Sequence, residues 1–110
     1  MDDADRADGF DILLCPVMPR TAVPHDHTEP QGARMLRFGG AERPYMDVIR
    51  WSSLAGICYL PATVVPVGLT DDGLPVGIQI IGPYLGDRTT LDLAGRLFEL
   101  MGGIPRPPGF

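Results

Sequence analysis

Two β-rich runs in the second half of the chain carry the clearest pattern of hydrophobic and polar positions. They cover residues 62–69 and 75–82, and Asp72-Gly73 lies between them. Asp and Gly tolerate the positive φ values of tight turns, so the pattern predicts a β-hairpin. Apolar side chains fall on both faces around residues 76–81, which predicts that both sides of that strand are covered. Pro66 cannot donate to the ladder, which places it at an edge or a bulge.

Helical spacing occurs in two further segments. Near the end of the chain, apolar residues recur at intervals of three and four until a pair of glycines stops the pattern. This predicts an amphipathic helix over 88–101 with Asp87 as its N-cap. A second helix is predicted near 45–55, because Pro44 suits a first helical turn and Gly56 suits a C-cap.

The first 44 residues are less regular. A short apolar run closed by a proline predicts a strand at 11–15. Residues 16–44 carry prolines, glycines and scattered charge without helical or alternating periodicity, which predicts a long irregular loop. A loop of that length is usually functional or supported by other structure, which counts against a self-contained fold. Residues 1–9 are acidic and poor in apolar side chains, and a short helix and a flexible segment are the two alternatives there.

Composition and charge narrow the classes of function. The 110 residues fit one unit, 1–110, and no apolar run approaches the roughly 20 residues that cross a bilayer, so no membrane partner is expected. A net charge of −5 argues against a nucleic-acid partner, which a basic surface would attract. All nine basic residues are Arg, so lysine is absent. The acidic start differs from a signal peptide, which predicts a cytoplasmic location.

Few side chains could carry chemistry. His25-Asp26-His27 could be half of a zinc site, but no further ligand motif accompanies it, so neither a metal nor another cofactor is predicted. Ser52 and Ser53 lack Gly-x-Ser-x-Gly surroundings and are expected to bond to backbone carbonyls of their helix. Cys15 and Cys58 lie in apolar stretches and are interpreted as free, buried thiols. No catalytic residue is predicted within the chain.

Four motifs follow one another in the second half of the chain. They are Leu54-Ala55-Gly56, LPATVVPVG at 60–68, GLPVGIQIIGP at 73–83 and DRTTL at 87–91. A shorter motif, DILLCP at 11–16, precedes them and is followed by Pro19. In this order the motifs resemble the C-terminal part of the amidase signature family, and the likeness extends from Phe10 onward. Several motifs in order are more specific than any one of them.

The chain also departs from the family pattern. Ser53 stands where the family usually has Asn, and Ile57-Cys58-Tyr59 intervenes before the next motif. Asp47 is out of register with an Asp that some relatives use to hold an amino-acid-like substrate, so that role is not transferred. The Gly/Ser-rich stretch that carries the two serines of the family is missing, and so is the lysine.

The resemblance implies an α/β fold with a mixed sheet, or α+β when the piece is considered alone. It also implies hydrolysis of a carboxamide to a carboxylate and ammonia or an amine, by a serine, a second serine on a cis peptide and a lysine. Because none of these can be placed, the chain is expected to be a C-terminal amidase fragment, inactive alone. A small-molecule amide would bind only in the full-length enzyme, where Trp51, Tyr59 and the 16–44 loop are the candidates for shaping the substrate pocket.

Alternatives remain beside this interpretation. The chain could be a non-catalytic interaction or dimerisation module that docks through its hairpin edge, because unpaired strand edges pair with other chains. Self-association, or pairing with the missing part of the fold, is therefore expected. A third possibility is an independent small enzyme that uses Cys58 or Cys15 with His25 or His27. Large aromatic side chains are ordinarily core, which is the simpler explanation of Trp51 and of Tyr59.

Overall fold

Residues 9–109 are described by the computed structural model. The prediction for residues 1–9 therefore falls outside the described residues, apart from Gly9. In chain order the elements are β1 (Leu13–Pro16), β2 (Met35–Phe38), β3 (Ala41–Pro44), α1 (Arg50–Ile57), β4 (Ala62–Leu69), β5 (Pro75–Ile81) and α2 (Asp87–Leu100). Short 3₁₀ helices cover Gln31–Ala33 and Tyr45–Ile49. The mixture of helices and strands confirms the predicted α/β class.

An antiparallel sheet of three strands, in the order β1-β5-β4, organises the fold. The predicted hairpin is confirmed as β4 and β5, and Gly73 takes a φ of 81° in the turn between them. The pairing slips between Pro66 and Gly68, so the proline does lie at a bulge in an edge strand. Because β1 pairs with the other side of β5, the one open edge of the hairpin within residues 9–109 is that of β4.

Residues 16–44 differ from the predicted irregular loop. They contain a second antiparallel hairpin, in which Met35 pairs with Pro44 and Phe38 with Ala41. Gly39 and Gly40 connect its strands with φ values of 61° and 77°, the combination that a two-residue turn between twisted strands requires. The Gly39-Gly40 pair was the sequence feature that could have predicted this hairpin. It went unrecognised because strands of only four residues are too short to show a clear alternation of apolar and polar residues.

The helix predicted near 45–55 is a 3₁₀ helix that continues as α1. The prediction that Gly56 ends it is wrong, because α1 runs on to Ile57 and its left-handed residue is Tyr59, with φ 54°. The amide of Leu60 donates to the Ala55 carbonyl at 3.0 Å, and the amide of Tyr59 donates to that of Gly56 at 3.3 Å. Leu60 packs on the core cluster that contains Ala55, and this apolar contact fixes the end of the helix.

Helix α2 lies within one residue of its predicted bounds, but its N-cap was predicted wrongly. Gly86 is the N-cap, because its carbonyl accepts the amides of Thr89 at 3.0 Å and Thr90 at 3.3 Å. Asp87 is the first helical residue, where a negative charge still complements the helix dipole. The glycine pair ends the helix as predicted: the amide of Gly103 donates to the Phe98 carbonyl at 3.0 Å.

The core is divided by β5 into two layers, as the two-sided apolar pattern of this strand predicts. On one face Cys15, Ala55 and Ile81 form a buried cluster, which brings α1 onto the sheet. On the other face Val65, Ile80 and Ala94 form a second cluster beneath α2. Successive residues of a strand point to opposite faces, so the neighbours Ile80 and Ile81 serve different layers.

Candidate functional site

A buried glutamine joins α1 to the sheet next to Trp51, one of the two predicted pocket residues. Gln79 of β5 is 4% exposed, and its Nε2 donates to the Trp51 carbonyl oxygen at 3.1 Å and to Sγ of Cys15 at 3.2 Å. Leaving a buried amide without hydrogen-bond partners would cost free energy. The two hydrogen bonds therefore fix the position of the start of α1 relative to β5. Sequence reasoning missed Gln79, although it was the one polar residue in an apolar strand.

Trp51 and Tyr59 lie at the surface of the described chain. Trp51 on α1 is 41% exposed, and Tyr59 just beyond α1 is 84% exposed. Neither side chain lines any of four well-formed grooves among residues 9–109. These grooves do not bring the two aromatic rings together, and the pocket role of both rings stays a prediction.

An apolar groove of about 540 Å³ opens beside the end of α1. Its walls come from the segment before β1, from α1 and the turn after it, and from the end of β5; they include Phe10, Leu13, Leu54, Cys58, Leu60 and Pro83. Phe10 is 99% exposed and Leu13 is 48% exposed, so the groove leaves apolar side chains open. The Asp11 carboxylate and the Cys58 thiol are the groups lining this groove that could act as a base or a nucleophile.

A smaller pocket of about 240 Å³ contains both histidines of the chain. We call it the imidazole pocket; His25, Asp26 and His27 line it together with Arg34 and Tyr45. The imidazole rings lie 6.0 Å apart, and the Arg34 guanidinium lies 5.9 Å from the centre of the Tyr45 ring. The sequence singled out the two histidines, but it gave no signal that Arg34 and Tyr45 join them.

The acid of this pocket is engaged by its own loop. Oδ1 of Asp26 accepts hydrogen bonds from the Thr28 hydroxyl at 2.6 Å and from the Thr28 amide at 2.9 Å. The hydroxyl bond is the main reason why the pKa of Asp26 lies below its usual value, and the charges of Arg34 and His27 act in the same direction. Among residues 9–109, no group of three His, Cys, Asp or Glu side chains could hold a metal ion.

The candidate nucleophiles are placed as follows. The hydroxyls of Ser52 and Ser53 both donate to the Ile49 carbonyl, at 3.0 and 2.7 Å, which confirms the predicted backbone bonding. Both cysteines are free; Cys15 is buried, whereas Cys58 is exposed because it caps α1 at the surface, so the prediction of a buried Cys58 is wrong. Cys58 lines the apolar groove and the two histidines line the imidazole pocket, so these two cavities do not place a thiol beside an imidazole.

Comparison with known proteins decides the family. The family model described as Amidase matches residues 2–91. This chain belongs to the amidase family. That finding confirms the resemblance on which the sequence analysis relied.

Curated relatives of this amidase-family chain include subunits of Glutamyl-tRNA(Gln) amidotransferase. The matching subunit of the Zymomonas mobilis enzyme is 36% identical over 101 residues, which are 92% of this chain and 18% of that protein. Its counterpart from Haloarcula marismortui is 34% identical over 87 residues, 78% of this chain and 18% of that protein. Urea amidolyase of Saccharomyces cerevisiae is 43% identical over 49 residues, 44% of this chain and 3% of that protein. The chain thus spans about a fifth of the amidotransferase subunits that it matches.

The motifs shared with the amidase family lie on the sheet and around both helices. They include most of the hairpin of β4 and β5, the end of α1 and the first turn of α2. The chain contains no lysine, and the hydroxyls of its two serines donate to a helix carbonyl. In residues 9–109, no helix is both long and apolar enough to cross a membrane.

Proposed function

We propose that this chain forms part of the sheet and one wall of the substrate pocket of an amide hydrolase, which converts a carboxamide to a carboxylate and ammonia or an amine. One observation supports this most strongly. The Amidase family model matches residues 2–91, yet the chain contains no lysine, the residue type that the resemblance implies as the base. The catalytic serines and lysine would therefore be contributed by other residues of the amidase fold, and the 110 residues would be inactive alone.

The distribution of apolar side chains supports this proposal. Within residues 9–109, seven hydrophobic residues are buried, whereas twenty large ones remain more than a third exposed. The most exposed include Phe10, Ile57, Tyr59, Leu85 and Leu100. Exposed apolar area on this scale marks a surface that another part of a protein covers. A cytoplasmic setting, in which the free Cys15 and Cys58 stay reduced, belongs to the same proposal.

Within that enzyme, we assign the pocket-wall role to α1 and its end. The backbone of Trp51 is fixed, because its carbonyl oxygen accepts a hydrogen bond from the buried Gln79. Its ring stays partly exposed. Tyr59 is presented by the left-handed turn that ends α1. A fixed backbone beneath an exposed aromatic ring suits a wall against which the acyl or amine part of an amide packs.

The test is ammonia release from a panel of aliphatic and aryl amides. It compares the purified 110-residue chain with the protein expressed from the complete gene, and Trp51→Ala and Tyr59→Ala are made in the active form. We expect activity only in the protein expressed from the complete gene. In that protein, Trp51→Ala and Tyr59→Ala should each raise the KM for the amide. Activity of the 110-residue chain that survives repurification would overturn the proposal, and Cys15→Ala and Cys58→Ala would then test a thiol mechanism.

A second candidate function is an interaction module that pairs through a sheet edge. The observation that favours it is the position of β4, which among the described strands has a partner on one side only. Its edge is interrupted by Pro66 and by the bulge that follows, features that natural sheets use to discourage edge pairing. Sedimentation velocity at micromolar concentration separates the two: a stable dimer that Val64→Pro dissociates would favour the module.

A further inference from the structure

We propose that the imidazole pocket binds a small organic carboxylate, that is, an anion with an apolar body. This proposal does not depend on the proposed amide-hydrolysing function. Three features of the pocket suit such a ligand: a guanidinium fixed in place, an acid that is already engaged, and a volume that fits a small molecule.

Arg34 is the anchor of this site. Its Nε donates to the Glu29 carbonyl oxygen at 2.7 Å, and its guanidinium lies 5.9 Å from the centre of the Tyr45 ring. These two contacts restrain the side chain before any ligand arrives, so less conformational entropy is lost on binding. Among residues 9–109, no carboxylate lies within ion-pair distance of Arg34. A planar guanidinium in this state matches the two oxygens of a carboxylate.

The other polar groups of the pocket favour an anion with a single charge. His25 and His27 place two imidazoles beside Arg34, and each can donate a hydrogen bond to an anion. Asp26 is the one acid that lines the pocket, and its Oδ1 is taken up by the two hydrogen bonds from Thr28. Its negative charge remains, and we expect it to disfavour ligands with two charges, such as phosphate.

The volume and the remaining lining indicate an apolar body behind the charge. The pocket measures about 240 Å³, below the 300–1,000 Å³ or so typical of drug-sized ligands. Val23, Leu36 and the ring of Tyr45 supply apolar surface to it. A ring-sized acid such as benzoate therefore fits the chemistry better than a nucleotide or a bare inorganic ion.

The experiment titrates the 110-residue chain with sodium benzoate at constant ionic strength and follows the imidazole signals by NMR. His25 and His27 are the only histidines in the sequence, so every imidazole signal reports on the pocket, and the single tryptophan, which is not among the lining residues, is the control. We expect saturable shifts of both imidazoles and no shift of the Trp51 indole. Inorganic phosphate and Zn²⁺ are titrated in parallel, and we expect neither to match benzoate.

Arg34→Gln and Arg37→Gln form a matched pair of variants. Both remove one positive charge, but Arg37 lies on β2 outside the pocket lining. Arg34→Gln should weaken benzoate binding about tenfold or more, as expected for a lost charge-assisted hydrogen bond, while Arg37→Gln should change it less than twofold. If Arg34→Gln disturbs signals outside the pocket, His27→Gln replaces it, and the same weakening is expected.

Four results would overturn the proposal. The imidazoles could fail to shift in a saturable way with benzoate, which would show that there is no site. Equal weakening by both arginine variants would show attraction to general charge. Phosphate binding as tightly as benzoate would show a site for any anion. Saturation by Zn²⁺ in the absence of a benzoate response would show that the two imidazoles form a metal site instead.

Discussion

Tyr59 offers a test of the backbone at the end of α1. Its φ of 54° lies in the left-handed region, which costs a residue with a Cβ about 1–2 kcal/mol, whereas glycine avoids that cost. Glycine loses about 0.5–1 kcal/mol through the entropy of the unfolded chain. With the ring removed in both variants, Tyr59→Gly should therefore be more stable than Tyr59→Ala by roughly 0.5–1 kcal/mol.

Gly95 provides the control with the opposite sign. It lies inside α2, and a Cβ built there meets no atom within 4 Å. Gly95→Ala should therefore raise the free energy of unfolding by about 1 kcal/mol, the ordinary helix preference. Alanine is thus favoured at position 95 and glycine at position 59, although both exchanges differ by one methyl group.

Urea unfolding followed by the fluorescence of the single tryptophan measures both exchanges. With a slope of about 1–3 kcal/mol per molar urea, a difference of 1 kcal/mol moves the midpoint by about 0.3–1 M. If Tyr59→Ala proves as stable as Tyr59→Gly while Gly95→Ala behaves as expected, α1 does not end in a left-handed residue. The account of this helix end would then be refuted.

Three further predictions concern the core. Gly82→Ala should lower the free energy of unfolding by about 1–3 kcal/mol, because its Cβ would lie 2.6 Å from Cγ2 of the fully buried Thr90; thermal unfolding checks this. In the folded chain iodoacetamide should alkylate Cys58 and spare Cys15, and peptide mass spectrometry separates the two; equal rates would contradict the burial of Cys15. Gln79→Leu should lower stability by about 1 kcal/mol and speed the alkylation of Cys15, because the hydrogen bonds that hold α1 over the sheet are lost.

Local chemistry in the sequence was enough to predict most of the fold. The turn at Asp72-Gly73, the bulge at Pro66 and the glycines after α2 depend on backbone preferences of the residues themselves. Two of the errors arose where two local signals competed. Gly56 could have ended α1, but the packing of Leu60 on the core lets the helix run to Ile57 and places the left-handed residue at Tyr59. Asp87 could have been an N-cap, but the Gly86 carbonyl took the first helical amides.

The candidate sites depended more on tertiary structure. The sequence identified His25 and His27 as unusual, yet Arg34 and Tyr45 join them only because β2, the segment before it and the 3₁₀ helix after β3 meet at one surface. The same holds for Gln79, whose partners Cys15 and Trp51 lie 64 and 28 residues away along the chain. No local preference encodes contacts over such separations.

The sequence by itself determined the amidase family, the hairpin, both helices and the absence of a lysine. These follow from short motifs, from hydrophobic periodicity and from composition, all of which are local properties. Only the tertiary structure decided that β5 is the central strand, that Ile80 and Ile81 serve different layers, and that Trp51 and Tyr59 stay exposed. The physical reason is that burial and hydrogen-bond pairing depend on which distant segments pack together.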